Sequence, residues 1–89
     1  MFFTYILESQ KNGKFYIGYT KDLSKRVEKH NAGHTISTKS GIPWKLVWSY
    51  SFATKTEALK LENTLKRLKN KKVLQQIIKG EFKTDSLLK

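Results

Sequence analysis

Arg26 and His30 are the side chains whose types and spacing most directly suggest chemistry on a phosphate group. They lie four residues apart, so in a helix they point in the same direction. Of the 18 basic residues only Arg26 and Arg67 are arginine. An arginine grips phosphate through two parallel hydrogen bonds, which a lysine cannot do. The choice of arginine at position 26 therefore favours phosphate binding, and His30 gains weight as a functional residue because it lies beside Arg26.

Tyr5 and Tyr16 lie on two predicted strands, one from Phe2 to Leu7 and one from Lys14 to Tyr19. An Asn12-Gly13 pair between the strands is typical of a hairpin turn. The two tyrosines share a face of the sheet if paired residue numbers add to an odd number, and an even sum separates them. A phenol, with a pKa of about 10, acts as a base at neutral pH only where nearby positive charge lowers that value. Packing within the sheet is the alternative role for both residues.

Glu62 is the acidic residue with the most informative position. It lies on a long helix predicted over residues 54–69, in the gap of the helical wheel between Ala58 and Leu59. A carboxylate at this place borders the apolar face and can reach past the core edge toward the sheet. Helix geometry alone favours a simpler arrangement, an exposed ion pair with Lys66 on the next turn.

The sequence contains seven acidic residues, and their spacing limits the metal chemistry that can be expected. A two-metal nuclease needs several carboxylates that converge on ions about 4 Å apart, and no spacing here predicts such a cluster. A one-metal site is feasible, because Mg²⁺ keeps several waters and accepts one carboxylate plus phosphate oxygens of a substrate.

The remaining elements must position these side chains. Thr20 or Asp22 is expected to cap a helix that ends near Asn31, with Leu23 and Val27 as its buried stripe. A polar loop covers residues 33–43. A third strand follows over residues 44–52, whose five large residues are predicted to cover the core from one face: Trp44, Leu46, Trp48, Tyr50 and Phe52. Thr54 or Thr56 begins the long helix, and a last helix is predicted from Lys71 to Lys79.

The composition bounds the class of protein. Eighty-nine residues make one domain, expected over residues 1–79 and followed by a tail over 80–89. The net charge of +11 favours a polyanionic partner, with nucleic acid ahead of anionic membrane; solvated surface lysines are the alternative. Cysteine is absent, which excludes disulfides and thiolate zinc sites. The first residues have neither a basic segment nor an apolar run long enough for a signal peptide or membrane span, so a cytoplasmic location is expected.

The chain resembles the GIY-YIG nuclease family over residues 3–75. The two name-giving motifs correspond to Thr4-Tyr5-Ile6 and Tyr16-Ile17-Gly18, with threonine in place of the first glycine. The segment 18–26 resembles the motif that delivers the family's arginine, and segment 57–62 resembles the helix that delivers its metal-binding glutamate. His30 matches a position that holds His or Tyr. The segment Gly41–Trp48 is similar to a small, stand-alone bacterial branch, related to the nuclease domain of the excision-repair subunit that makes the 3′ incision.

Two positions depart from that excision-repair enzyme. Tyr19 stands where the enzyme has a lysine. A residue near Leu74 replaces its active-site asparagine, and Asn70 is the nearby asparagine that would have to substitute for it.

The resemblance implies an α+β fold, a three-stranded antiparallel sheet flanked by helices. It further implies metal-dependent cleavage of DNA, with repair as the setting, no small-molecule substrate and no membrane. Glu62 would hold one Mg²⁺ or Mn²⁺, Arg26 would grip the phosphate, and Tyr16, with Tyr5 as its rival, would deprotonate the attacking water while His30 assists.

Two other functions compete with this one. The chain could be a basic module that holds DNA or RNA without cutting it, and the residues do not distinguish DNA from RNA. It could also be an adaptor that docks a protein partner through the long helix or the C-terminal tail.

Overall fold

Three antiparallel strands form one sheet at the centre of the molecule. A computed structural model of the protein describes residues 1–68 and 70–81, so most of the predicted tail lies outside the described residues. The strands are β1 (Phe2–Ser9), β2 (Phe15–Thr20) and β3 (Trp44–Phe52), and β1 lies between the other two. The helices α1 (Leu23–Asn31), α2 (Lys55–Leu68) and α3 (Lys71–Ile78) flank the sheet. The predicted α+β fold is confirmed.

Side-chain caps begin the three helices. Asp22 accepts a hydrogen bond from the backbone N–H of Lys25, so of the two predicted caps Asp22 is the one that α1 uses. Thr54 does the same for α2 and Asn70 for α3. No helix in the described ranges is long and apolar enough to span a membrane.

The register of the hairpin brings the two candidate tyrosines together. Tyr5 lies opposite Gly18, and Leu7 lies opposite Tyr16, so paired residue numbers add to an odd number. Tyr5 and Tyr16 consequently project from the same face of the sheet, with their ring centroids 6.4 Å apart. This is the register that a shared site requires.

The large residues of the third strand do not all point to the same face of the sheet. Its register with β1 shifts between Ile6 and Leu7: Ile6 lies opposite Trp48, whereas Leu7 lies opposite Leu46. Val47 is the extra residue on β3. An extra residue puts the alternation of side chains out of step, so large residues on either side of Val47 point to opposite faces of the sheet. The prediction of a single apolar face on β3 was therefore wrong, because a β-bulge interrupts the alternation.

The bulge divides the large residues of β3 between two clusters. The larger cluster lies between the sheet and helices α2 and α3; its buried residues are Ile6, Ile17, Phe52, Ala58, Leu61, Leu65, Leu74 and Ile77, and Trp48 and Tyr50 pack against them. The smaller cluster lies on the opposite face, under α1, and consists of Tyr5, Leu7 and Trp44 with half-buried Tyr16, Leu23, Val27, Ile42 and Leu46 around them. The tyrosines thus belong to the smaller cluster.

The polar loop between α1 and β3 contains a 3-10 helix (Ile36–Gly41), which the sequence did not predict. Polar side chains fix it. The Asn31 amide donates to the Trp44 carbonyl at 3.0 Å and its oxygen accepts from the Trp44 N–H at 2.6 Å. The Trp44 indole donates to the Thr38 carbonyl at 2.7 Å, and the Ser9 hydroxyl donates to the Gly41 carbonyl at 2.6 Å. The loop is therefore tied to α1 and to the end of the sheet at which Ser9 pairs with Trp44.

Gly18→Ala is expected to destabilise the protein by about 1–3 kcal/mol, as overpacking of a filled core does. A Cβ at position 18 would lie 2.5 Å from the Tyr5 hydroxyl and 2.7 Å from the ring carbon that carries it. Because Tyr5 is buried, its ring cannot swing into solvent to relieve the contact. Urea unfolding would measure the loss.

Tyr5→Phe provides the matched background for this test. It removes the hydroxyl that makes the closest contact, so Gly18→Ala should cost less in Tyr5→Phe than in the wild type. Equal costs in the two backgrounds would contradict a direct contact between position 18 and Tyr5.

Candidate active site

Helix α1 places Arg26 and His30 over the face of the sheet that carries the tyrosines. The two residues are one turn apart, as the sequence predicted, and the charge of Arg26 acts on both His30 and Tyr5. His30 is almost fully buried, and Arg26 is half-buried. His34, the other histidine, is exposed beyond the end of α1 and is not part of this cluster. The structure thus separates the two histidines.

A buried chain of hydrogen bonds joins Tyr5, His30 and Thr38. The Tyr5 hydroxyl lies 3.2 Å from His30 Nε2, and His30 Nδ1 lies 2.8 Å from Thr38 Oγ1. The Thr38 hydroxyl has a single proton, which it donates to the Thr35 carbonyl at 3.3 Å. In the tautomer that keeps this bond, Thr38 accepts from Nδ1–H of His30. Nε2 of the neutral ring is then the acceptor, and Tyr5 donates its proton to His30.

Burial and neighbouring charges keep Tyr5 and His30 neutral. Burial raises the pKa of Tyr5, and the negative charges of an ionised Tyr16 and of Glu62 raise it further, while the Arg26 guanidinium acts in the opposite direction. Burial lowers the pKa of His30, and the positive charge of Arg26 lowers it further. These directions agree with a Tyr5 that keeps its proton and a His30 that accepts it in a hydrogen bond.

Tyr16 differs from Tyr5 in its surroundings. It is half-buried, and its ring meets the edge of the His30 ring at a centroid distance of 4.8 Å. Its ring also lies edge-on to that of Trp44, at 6.3 Å. Within the described part of the chain its hydroxyl makes no hydrogen bond. Of the two tyrosines, only Tyr16 therefore combines a fixed ring with a hydroxyl that a substrate can approach.

Glu62 is buried on α2, with 9% of its surface exposed. Thr4 anchors this part of the helix, because its buried hydroxyl donates to the carbonyl of Ala58, one turn before Glu62, at 2.8 Å. The ion pair with Lys66 forms, with 3.0 Å between Lys66 Nζ and Glu62 Oε1. The helix-only prediction was right about the pair but wrong about its exposure, because the glutamate side chain is 11% exposed and the lysine 51%.

The donor set around Glu62 fits a hard divalent cation held mainly by water and substrate. No group of three or more His, Asp and Glu side chains within residues 1–68 and 70–81 could enclose a metal ion. One buried carboxylate is nevertheless the kind of protein ligand that Mg²⁺ accepts when phosphate oxygens complete its shell. In the structure, one oxygen of this carboxylate is paired with the ammonium of Lys66.

Neither of the two departures from the excision-repair enzyme adds a polar group to this cluster. Leu74 is buried in the larger apolar cluster. The side chain of Asn70 is exposed and caps α3, so it does not substitute for the missing asparagine. Tyr19, in contrast, lines an open groove of about 480 Å³ that also contains Arg26.

Thr38 is the residue of this cluster that the sequence analysis missed. It is fully buried, and its hydroxyl is the hydrogen-bond partner of His30 Nδ1. It lies in the segment interpreted as a polar loop, where nothing in its spacing distinguishes it from the neighbouring serines and threonines. Only the fold of the 3-10 helix brings it under α1.

Comparisons with known proteins identify relatives over most of the chain. The family model for the GIY-YIG catalytic domain matches residues 1–76. A UPF0213 protein of Streptococcus pneumoniae is 41% identical over 75% of this chain and 68% of its own length, and one of Staphylococcus saprophyticus is 44% identical over 79% and 87%. The solution NMR structure of a UPF0213 protein from Bacillus halodurans is 35% identical, covers 86% of this chain and 83% of that chain, and superimposes with a TM-score of 0.53.

Acidification is expected to destabilise the protein through His30. The folded-state pKa of His30 lies below its ordinary value of 6.5, so below pH 6.5 the unfolded chain binds a proton that the folded chain resists. The stability that the folded state derives from a neutral, buried His30 is fully present above pH 6.5 and decreases as the pH falls toward the folded-state pKa. For one proton, the unfolding equilibrium shifts by at most about tenfold per pH unit.

Urea unfolding between pH 5 and pH 8, for the wild type and His30→Asn, would measure this effect. The variant does not titrate, so its stability deficit should be largest at neutral pH and shrink toward pH 5. A deficit that stays constant over the whole range would show that His30 does not titrate on unfolding.

Proposed function

The chain belongs to the GIY-YIG catalytic-domain family, a family of nucleases, and on this premise we propose that it is a divalent-metal-dependent endonuclease that hydrolyses phosphodiester bonds in DNA. The observation that carries the proposal is the clustering of Tyr5, Tyr16, Arg26 and His30 on one face of the sheet, within the electrostatic reach of Glu62. Cleavage of irregular DNA structures during repair is the biological setting that we propose, by analogy with the family's excision-repair member.

Arg26 is the proposed phosphate ligand. Its half-buried position beside apolar side chains reduces competition from water, which strengthens a charge-assisted hydrogen bond. The planar guanidinium can hold two phosphate oxygens at once and fix the phosphate in line with an attacking water. Substitution by lysine would keep the charge but lose this orientation.

Tyr16 is the proposed general base, and Tyr5 is the proposed support. Tyr5 is buried, donates its proton to His30 and resists ionisation, so it is poorly suited to take a proton from water. Tyr16 has a hydroxyl that is free within the described residues and a ring held by the edges of His30 and Trp44. Tyr5 and Thr38 then serve to orient His30, and His30 in turn positions Tyr16 and assists proton transfer.

Glu62 is the proposed ligand of one Mg²⁺ or Mn²⁺, whose charge when bound would neutralise the charge that develops on the scissile phosphate and the leaving oxygen. The carboxylate is prepared for this role by its burial and by the Thr4 anchor one turn earlier. Lys66 would have to release the carboxylate oxygen that it now holds at 3.0 Å. Its exposed side chain allows such a movement at little cost.

A second candidate function is nucleic-acid binding without cleavage. The contact that favours it is the Lys66–Glu62 pair, because a carboxylate already neutralised by lysine is a weaker metal ligand. Binding would then depend on phosphate contacts and on salt concentration, and divalent metal would have no effect on the nucleic acid.

Glu62→Gln is expected to lower the rate of DNA cleavage by at least about a hundredfold, a typical effect of losing one charged transition-state contact. DNA affinity measured in EDTA should be retained, since the variant removes a negative charge. The assay is cleavage of labelled duplex, single-stranded, flap and nicked DNA with Mg²⁺, Mn²⁺ or EDTA. Glu57→Gln is the control, because Glu57 is an exposed acid on the same helix and its loss should leave the rate unchanged.

The same assay separates the two candidate functions. Metal-dependent cutting that Glu62→Gln removes supports the nuclease. Tight binding with no cutting on any substrate, in any metal, supports the binding module.

Tyr16→Phe and Tyr5→Phe are expected to have different effects on cleavage. Removing the Tyr16 hydroxyl removes the proposed base, so the single-turnover rate should fall by about a hundredfold or more at every pH. Removing the Tyr5 hydroxyl leaves His30 Nε2 without its donor, so the rate should fall less and the protein should also lose about 1–3 kcal/mol of stability. If the larger loss of rate occurs with Tyr5→Phe, the two roles are reversed.

A further inference from the structure

Next to Arg26, an open groove of about 480 Å³ runs around the end of β2, between the beginnings of α1 and α2. This volume is comparable with pockets that hold small organic ligands, about 300–1,000 Å³, so it can take a nucleotide. Its lining consists of Phe2, Tyr19, Thr20, Lys21, Asp22, Lys25, Arg26, Lys29 and Lys55. We propose that this groove, called the β2 groove below, binds an unpaired stretch of the nucleic-acid strand next to the phosphate held by Arg26. That the bound stretch lies next to the phosphate held by Arg26 rests on the proposed nuclease function. The binding itself can be tested without cleavage.

The charge of the β2 groove is strongly positive. Five of its nine lining residues carry a positive charge, and Asp22 is the one acid among them. The Asp22 carboxylate is engaged as the cap of α1, where it accepts from the Lys25 N–H at 3.1 Å. Among described residues, none of the five cations forms an ion pair. Such a set of cations on the wall of a groove attracts a phosphate backbone and releases its counterions on binding.

Two aromatic rings are interleaved with these cations. The Lys21 ammonium lies 5.3 Å from the centre of the Phe2 ring, and the Lys55 ammonium lies 5.9 Å from the centre of the Tyr19 ring. Both rings are half-buried against the larger apolar cluster, so each is held in place with part of its surface exposed. An unpaired base can stack on the Tyr19 ring when Lys55 moves from the ring to a neighbouring phosphate.

The combination of cations and aromatic rings distinguishes single-stranded from duplex substrates. Proteins that bind single strands pair a positive groove with side chains on which bases stack, and each stacked base contributes about 1–3 kcal/mol. In a duplex the bases are already stacked on one another, so they cannot stack on aromatic side chains that line a groove, and these side chains add no affinity for a duplex. Tyr19 and Phe2 therefore indicate unpaired nucleotides, whereas the lysines alone would serve either kind of strand.

The β2 groove leads to the candidate active site. Arg26 is common to both, because it lines the groove and its charge acts on Tyr5. Lys55 and Glu62 lie seven residues apart on the same side of α2, which corresponds to about 10 Å along the helix. A strand that enters at Lys55 and passes Arg26 would consequently reach the surroundings of Glu62 within a few nucleotides.

Fluorescence anisotropy in EDTA would test the proposal, because binding is then measured without cleavage. The probes are a labelled single strand, a blunt duplex and a duplex with a single-stranded extension, each at several salt concentrations. Tyr19→Leu should weaken binding of the single strand and of the extended duplex by about fivefold to a hundredfold, the equivalent of one stacked base. It should leave the blunt duplex and the salt dependence unchanged, while Tyr19→Phe should bind like the wild type.

A pair of lysine variants tests the phosphate contacts. Lys25→Ala with Lys29→Ala removes two cations that line the groove, and the slope of log affinity against log salt for single strands should become shallower by about 1.4. Lys60→Ala with Lys72→Ala is the matched control, with the same change in charge at exposed helical positions outside the groove. Thermal unfolding of every variant would identify those that fail to fold, and Tyr19→Phe keeps the test of stacking valid if Tyr19→Leu is among them.

The outcomes separate this proposal from the nuclease proposal. Equal losses for single strand and blunt duplex with Tyr19→Leu, or equal salt slopes for the two lysine pairs, would overturn the assignment of the β2 groove. A chain that cleaves DNA with Mg²⁺ and shows either result is a nuclease without a single-strand site here. A chain that never cleaves but shows the expected binding pattern has the site and lacks the chemistry.

Discussion

The buried hydrogen-bond chain from Tyr5 through His30 to Thr38 is the interaction on which the arrangement of this small domain depends. It joins the central strand to the first helix, 25 residues further along the chain, and to the 3-10 helix that follows that helix. Each of these polar groups would be costly to bury without a partner, and the His30 ring is satisfied at both nitrogens only when Tyr5 and Thr38 are in place. The chain therefore couples the correct packing of α1 and the loop to the orientation of the candidate catalytic side chains.

The β-bulge at Val47 allows one sheet to serve two purposes. Strand β3 contributes Trp48, Tyr50 and Phe52 to the larger cluster under α2 and α3, which supplies most of the buried apolar surface. Before the bulge it contributes Trp44 and Leu46 to the opposite face, where they surround the tyrosines. A sheet of only three strands can in this way stabilise a core on one face and hold the candidate tyrosines on the other.

Electrostatics connects the site to the rest of the surface. With a net charge of +11, the protein attracts polyanions at long range, and Arg26 lies where this diffuse field meets the apolar surroundings of the tyrosines. Glu62 contributes a negative charge within this positive field. Its carboxylate is buried beside the apolar core and paired with Lys66. This contrast is what the proposed roles of Arg26 as a phosphate ligand and Glu62 as a cation ligand require.

The sequence alone determined the features that depend on local periodicity and chemistry. The helix spacing of Arg26 and His30, the hairpin turn, the helix caps and the ion pair between Glu62 and Lys66 are all short-range relations, and each is present in the structure. The α+β class followed from the family motifs. Sequence analysis also stated the condition under which Tyr5 and Tyr16 share a face, although it did not determine which register holds.

Tertiary structure decided the rest, because long-range pairing has no local signal. The register of the hairpin and the bulge at Val47 depend on how whole faces pack, and the regular alternation from Trp44 to Phe52 gives no sign of an interruption. The burial of Glu62 depends on how α2 packs on the sheet, where Thr4 of a distant strand bonds to Ala58, whereas helix geometry by itself predicted exposure. Thr38 joined the cluster for the same reason: a buried histidine nitrogen needs a partner, and only the folded chain determines which residue is close enough to provide it.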